Sequence, residues 1–145
     1  MLFLTLLGLV GLVWAQDPHV GTWKMDSAKS KSQYKSDTVR FEPLDNGVKV
    51  VGDAITAEGK ALHEEVTAKY DGKDYPYPGS TYADTMVFKR IDANTFDQVM
   101  KKNGKVAATA REVFSKDGKT FTRILKAKDE KGQEVTIAVV VYEKQ

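Results

Sequence analysis

Glycines at 104, 118 and 132 stand fourteen residues apart, each after a polar residue, and this repeat limits what the chain can fold into. It leaves room for a strand of about ten residues and a corner, then another strand. Asn103-Gly104 and Asp117-Gly118 are dipeptides that two-residue hairpins favour, because both central residues of a type I′ turn need φ > 0. Lys131-Gly132 is a looser version of the same corner. The runs between them, 105–115, 119–128 and 133–143, are rich in Val, Ile, Thr, Phe and Ala and contain no proline, which is strand composition.

The same punctuation recurs upstream at Asn46-Gly47, Glu58-Gly59 and Asp71-Gly72. Residues 19–25 predict a short first strand, and 27–36 a loop or a single helical turn. In 36–43, Val39 and Phe41 alternate with Thr38, Arg40 and Glu42, the pattern of a half-buried strand. The arms 47–57 and 60–70 follow; in the second, Leu62, Val66, Ala68 and Tyr70 share a face with a lone Glu64. Residues 73–80 contain Pro76 and Pro78, so they predict an edge strand or a lid-like loop, because proline lacks a ladder donor. Two further strands fall at 84–91 and 95–102. The count is about ten, all-β, in an antiparallel up-and-down meander. Short sequential turns favour closure into a barrel over a sandwich, which would need long crossovers. Residues 135–142 are apolar on both faces, as expected of a last strand that covers the first. Ten strands can enclose more space than side chains fill.

Residues 2–15 carry no charge. That stretch is shorter than the ~20 residues of a membrane-spanning helix, and Val13-Trp14-Ala15 matches the small-residue pattern before a signal-peptidase cut. The expectation is a signal peptide 1–15 cleaved after Ala15, a single domain 16–145, and a secreted or periplasmic location with no stable membrane span left. The 22 Lys and Arg and 20 Asp and Glu all follow residue 16. A balance so even speaks against nucleic-acid binding. The chain has no cysteine, which suits a periplasm better than a disulfide-stapled secreted module.

His19 and His63 each stand alone, so no metal site is indicated. No phosphate loop, nucleophile elbow or paired-carboxylate motif is present, and neither catalysis nor a cofactor is expected. Arg111 and Arg123 are the informative charges, lying in adjacent apolar strands. A two-residue turn at Asp117-Gly118 pairs Phe114 with Phe121, Glu112 with Arg123 and Ala110 with Leu125. A slip of one residue sets Arg111 against Arg123, a like-charge pair. In the first register, Arg123 and Glu112 either face the lumen, where they meet a ligand's anionic group, or form an outward salt bridge. Tyr70, Tyr75, Tyr77 and Tyr82 cluster about the proline-containing loop, as a pocket mouth or as packing of that loop.

Gly21-Thr22-Trp23 is similar to the Gly-x-Trp signature of lipocalins, and Gly21 to Lys24 with Val141-Tyr142-Glu143-Lys144 resemble the two ends of fatty-acid-binding proteins. Both belong to the calycins. Together with Ala68 to Pro76 and Lys89 to Asn94, these segments resemble uncharacterised secreted bacterial lipocalin-like proteins over nearly the whole of 16–145. The resemblance implies a lipocalin/calycin-like barrel with Gly21 and Trp23 as structural signature and Tyr142 in the ligand site. Val140 stands where the fatty-acid-binding proteins' Arg-x-Tyr has its arginine, so their carboxylate clamp is not implied. The last strand also lacks the arginine that covers the lipocalin tryptophan. The function expected is an exported barrel binding a small apolar or amphipathic molecule. The alternative is a filled barrel serving as a structural or protein-interaction module of the envelope. Cavity volume separates the two at the ~300 Å³ where ordinary ligand pockets begin.

Overall fold

The computed structural model describes residues 17–145; the expected signal peptide and its cut after Ala15 lie outside them. The strands are β1 Gly21–Met25, β2 Tyr34–Leu44, β3 Gly47–Thr56, β4 Ala61–Lys69 and β5 Tyr75–Pro76, then β6 Thr85–Arg90, β7 Thr95–Lys102, β8 Lys105–Phe114, β9 Thr120–Lys128 and β10 Glu134–Lys144. Between β1 and β2 lies one 3-10 turn, Ser27–Lys29. The Asp26 carboxylate caps it by accepting the Ala28 and Lys29 backbone N–H groups.

All ten strands form one antiparallel sheet in the order β4-β3-β2-β1-β10-β9-β8-β7-β6-β5. β10 returns to pair with β1, and the row curls until β4 meets β5 and β6 without sharing a ladder with them. The result is a nearly closed up-and-down barrel of the lipocalin-like kind, with one seam. Closure on the β1 side follows from sequence: Trp23 pairs with Val39 on one flank and Lys144 on the other, and is fully buried. Its indole N–H donates to the His19 carbonyl at 2.9 Å, and the Phe114 and Phe121 rings lie 5.2 and 5.1 Å away. These edge-on rings fill this end of the barrel. The Lys144 ammonium sits 5.5 Å over the indole, so a lysine covers the ring where lipocalins were expected to use an arginine.

Asn103 and Gly104 both have φ > 0, at 51° and 77°, as a type I′ corner requires. At 117–118 only the glycine does, with φ 71°. A Ser115–Gly118 turn, closed by a 3.0 Å bond from the Gly118 N–H to the Ser115 carbonyl, replaces the expected two-residue hairpin. The register is nonetheless the one that pairs Glu112 with Arg123 and Phe114 with Phe121, because the Phe rings must face the core. Arg111 turns outward to Asp97 at 2.7 Å.

β10 departs from expectation. It meets β1 only from Tyr142 to Lys144, and its first half bulges between Thr136 and Ala138. Val135 and Ile137 are left exposed there, so apolar residues on both faces of this strand do not mean two covered faces. β5 is a two-residue edge strand, as its prolines dictate. The loop after it forms a strap over the seam, closed on itself by the Tyr77 N–H donating to the Asp84 carbonyl at 2.9 Å. Gly79 lets the strap lie flat: φ is +88°, and a Cβ there would stand 2.7 Å from the His63 carbonyl oxygen of β4.

Candidate ligand-binding site

Successive side chains of a strand point to opposite faces, so the inward set can be read strand by strand. Five otherwise apolar inward rows each carry one polar residue. Asp37 precedes Val39 and Phe41 on β2, and Glu64 lies between Leu62 and Val66 on β4. Gln98 lies between Phe96 and Met100 on β7, Glu112 between Ala110 and Phe114 on β8, and Arg123 between Phe121 and Leu125 on β9. β7, β8 and β9 are adjacent and in register, and the curl of the sheet turns the inward faces of β2 and β4 to the same interior. Glu112, Gln98 and Asp37 are 1%, 4% and 7% exposed.

Four of the five join with Tyr142 in one hydrogen-bonded chain. The Gln98 amide donates to Glu112 Oε1, and Arg123 donates to Glu112 Oε2 through Nη2 at 2.8 Å and Nε at 3.2 Å. Arg123 Nη1 donates to the Tyr142 hydroxyl at 3.3 Å, which donates in turn to Asp37 Oδ2 at 2.5 Å. Burial works against the Arg123 charge, but Glu112, Tyr142 and Asp37 outweigh it and hold the guanidinium firmly protonated. Burial pushes the Asp37 carboxyl above the usual range, opposed by Arg123 and by the Tyr142 hydroxyl. The Tyr142 phenol is raised far out of the physiological range by the same burial, so it stays a donor. Glu64 stands apart on the seam, where the Tyr77 hydroxyl of the strap donates to its Oε2.

Above this chain lies a cavity of ≈ 210 Å³. Asp37, Gln98, Arg123 and Tyr142 line it, as do Val39, Met86 and Met100 on the apolar side. Glu64, Tyr77 and Tyr82 line it at the seam, and the exposed Gln33 and Ile137 mark its mouth. Several polar atoms lining it have no hydrogen-bond partner among the described residues: Asp37 Oδ1, Glu64 Oε1 and Gln98 Oε1. Arg123 uses three of its five N–H groups, on Glu112 and Tyr142. Two donors are left over.

Of the residues expected at a ligand site, Arg123 and Tyr142 line the cavity, and Glu112 lies beneath it, holding Arg123. Tyr70 and Tyr75 do not line it. Tyr70 packs at the filled end, its ring 5.6 Å from that of Phe96 and its hydroxyl 3.2 Å from His19 Nε2. Tyr75 is turned to its own loop, donating to Asp71 at 2.6 Å. The other two tyrosines of that cluster, Tyr77 and Tyr82, are the ones at the cavity. Asp37, Glu64 and Gln98 were missed as site residues, although each is the one polar residue on an apolar face. Arg123 also sits directly across from Val140 and beside Tyr142.

His63 is exposed, with Nδ1 2.6 Å from Asp53 and Nε2 3.2 Å from Glu65. Hydrogen bonds to both carboxylates raise its pKa. No group of three or more His, Cys, Asp and Glu among the described residues is arranged to hold a metal ion.

No family model matches the chain, and no curated protein does. Among solved structures it is similar to the siderocalin Ex-FABP, a protein described as functioning through dual ligand specificities. The two share 10% identity, with a TM-score of 0.38 over 88% of this chain and 74% of that one.

Proposed function

We propose that this chain is an exported bacterial barrel that holds a small amphipathic molecule in its upper cavity, and that it is a binding protein, not an enzyme. One observation supports the reading: Asp37 and Gln98, both nearly buried, line the hollow, and each keeps an acceptor oxygen with no hydrogen-bond partner among the described residues. Buried polar groups left unpaired each cost about 1–3 kcal/mol, and a buried ion pair is often no more stabilising than apolar residues of the same volume. A bound molecule that donates to these acceptors would complete the network. Glu112 and Asp37 are each held by a donor, Arg123 or Tyr142, in fixed geometry, which suits orientation of a ligand.

The cavity narrows the ligand. At ≈ 210 Å³ it falls below the ~300 Å³ of ordinary ligand pockets, but an enclosed space of about 150 Å³ already admits benzene. A ring with a short polar arm fits; a long fatty acid does not. The small volume is also what favours the second reading, a filled envelope module without a small-molecule ligand. Native mass spectrometry of protein purified from its own host discriminates them. A bound species of roughly 100–200 Da, lost from an Arg123→Leu/Glu112→Gln variant, is the expected result; apoprotein alone at every preparation would support the envelope module. The same spectra test export, because exported protein should begin at Gln16.

A further inference from the structure

The charges around the cavity do not balance. Arg123 is matched by Glu112, which accepts two of its N–H groups on one oxygen. Asp37 and Glu64 then remain, with the exposed Glu65 at the rim turned to His63, and no other Lys, Arg or His of the described residues lines the space. Asp37 is on β2 and Glu64 on β4, so the two carboxylates reach the cavity from different strands, and each has an oxygen with no partner among the described residues. The Gln98 carbonyl oxygen is a third acceptor, likewise unpartnered there. Asp37 and Gln98 are both more than nine-tenths buried.

A carboxylate ligand entering this site would meet one guanidinium already paired with Glu112 and two further carboxylates, Asp37 and Glu64. Its charge would be desolvated with little in return. An ammonium meets the opposite: two carboxylates to pair with, three acceptors for its N–H groups, and the rings of Tyr77, Tyr82 and Tyr142 around it.

We propose, building on the binding reading above, that the cavity is selective for small organic cations: a protonated amine on an apolar body about the size of one ring. Asp37 and Glu64 hold the ammonium, Gln98 accepts a third hydrogen bond, and the apolar body lies against Val39, Met86 and Met100. Arg123 acts as a positioning residue that fixes Glu112 and Tyr142.

The test uses three probes of nearly one shape, 2-phenylethylamine, 2-phenylethanol and phenylacetate, titrated calorimetrically at pH 7 into the protein lacking residues 1–15. The amine should bind at least about tenfold tighter than the alcohol, as expected for a buried charge pair, and phenylacetate weakest. Asp37→Asn and Glu64→Gln should each erase most of the amine's advantage over the alcohol. Asn and Gln keep an acceptor for Tyr142 and Tyr77, and an unchanged melting temperature shows that the variants are folded. Phenylacetate binding as tightly as the amine overturns the cation assignment while leaving the binding reading intact. If none of the three binds, the binding reading falls and the cation assignment falls with it. An amine preference that survives in the Asp37→Asn/Glu64→Gln double variant overturns the roles given to these carboxylates, and the proposal with them.

Discussion

Replacing His19 with phenylalanine should remove most of the protein's acid sensitivity between pH 6.5 and 4. His19 is 3% exposed and lies among the Phe96, Phe41 and Phe114 rings, at 4.7, 5.9 and 6.2 Å. Its Nδ1 has no hydrogen-bond partner among the described residues, and its Nε2 is 3.2 Å from the Tyr70 hydroxyl. Burial lowers its pKa to about 4; Asp17 works to raise it and Arg90 to lower it. Glu112 reaches the same small hollow from β8. In the unfolded chain this histidine takes a proton near pH 6.5, whereas in the folded barrel it does so near 4. Between those values the unfolded state binds the extra proton, so stability rises with pH across the window and is lost as pH falls through it, at up to about 1.4 kcal/mol per pH unit. Integrated from pH 8, the loss reaches about 2.5 kcal/mol at pH 4.5. Urea unfolding of wild type and His19→Phe at half-unit intervals from pH 4.5 to 8 measures it. Asp37, whose raised carboxyl acts with the opposite sign, and the exposed His63 titrate in both proteins and drop out of the difference. The variant should be about as stable as wild type at pH 8, since a phenyl ring suits that site, and more stable by about 2–3 kcal/mol at pH 4.5. Parallel curves across the window would refute the assignment of a buried neutral imidazole.

Trp23→Ala should cost about 3–5 kcal/mol, as for other buried large aromatics, read from the urea midpoint; a loss below about 1 kcal/mol would contradict its place at the closed end. In protein that begins at Gln16, where Trp23 is the one tryptophan, iodide should fail to quench the fluorescence. Gly79→Ala puts a methyl 2.7 Å from the His63 carbonyl oxygen at a backbone φ of +88°, so the strap should lift from the seam. We expect about 1–3 kcal/mol of destabilisation and faster hydrogen exchange at the Tyr77 amide; exchange unchanged from wild type would show that the strap does not depend on that contact.

Local chemistry determined the elements. Asn-Gly corners, β-branched runs and proline at Pro76 act over two to ten residues, so strand number, strand order and the edge character of β5 could be read without coordinates. The pairing of Glu112 with Arg123 was also legible, because the alternative set two arginines against each other. A turn of different length than expected did not change it, since burial of Phe114 and Phe121 outweighs the turn geometry. The site was legible only in fragments. Asp37, Glu64 and Gln98 each show in sequence as one polar residue on an apolar strand face, but a single such residue is as consistent with a solvated edge as with a cavity. Residues 98, 112 and 123 are neighbours by register, but Asp37 and Glu64 come to the same interior only when the sheet curls, since curvature brings the inward faces of non-adjacent strands together. Closure also decided which tyrosines matter: Tyr77 and Tyr82 reach the cavity because the strap folds over the seam, while Tyr70, seven residues earlier, points to the filled end. That choice is made by long-range packing, which no local pattern encodes.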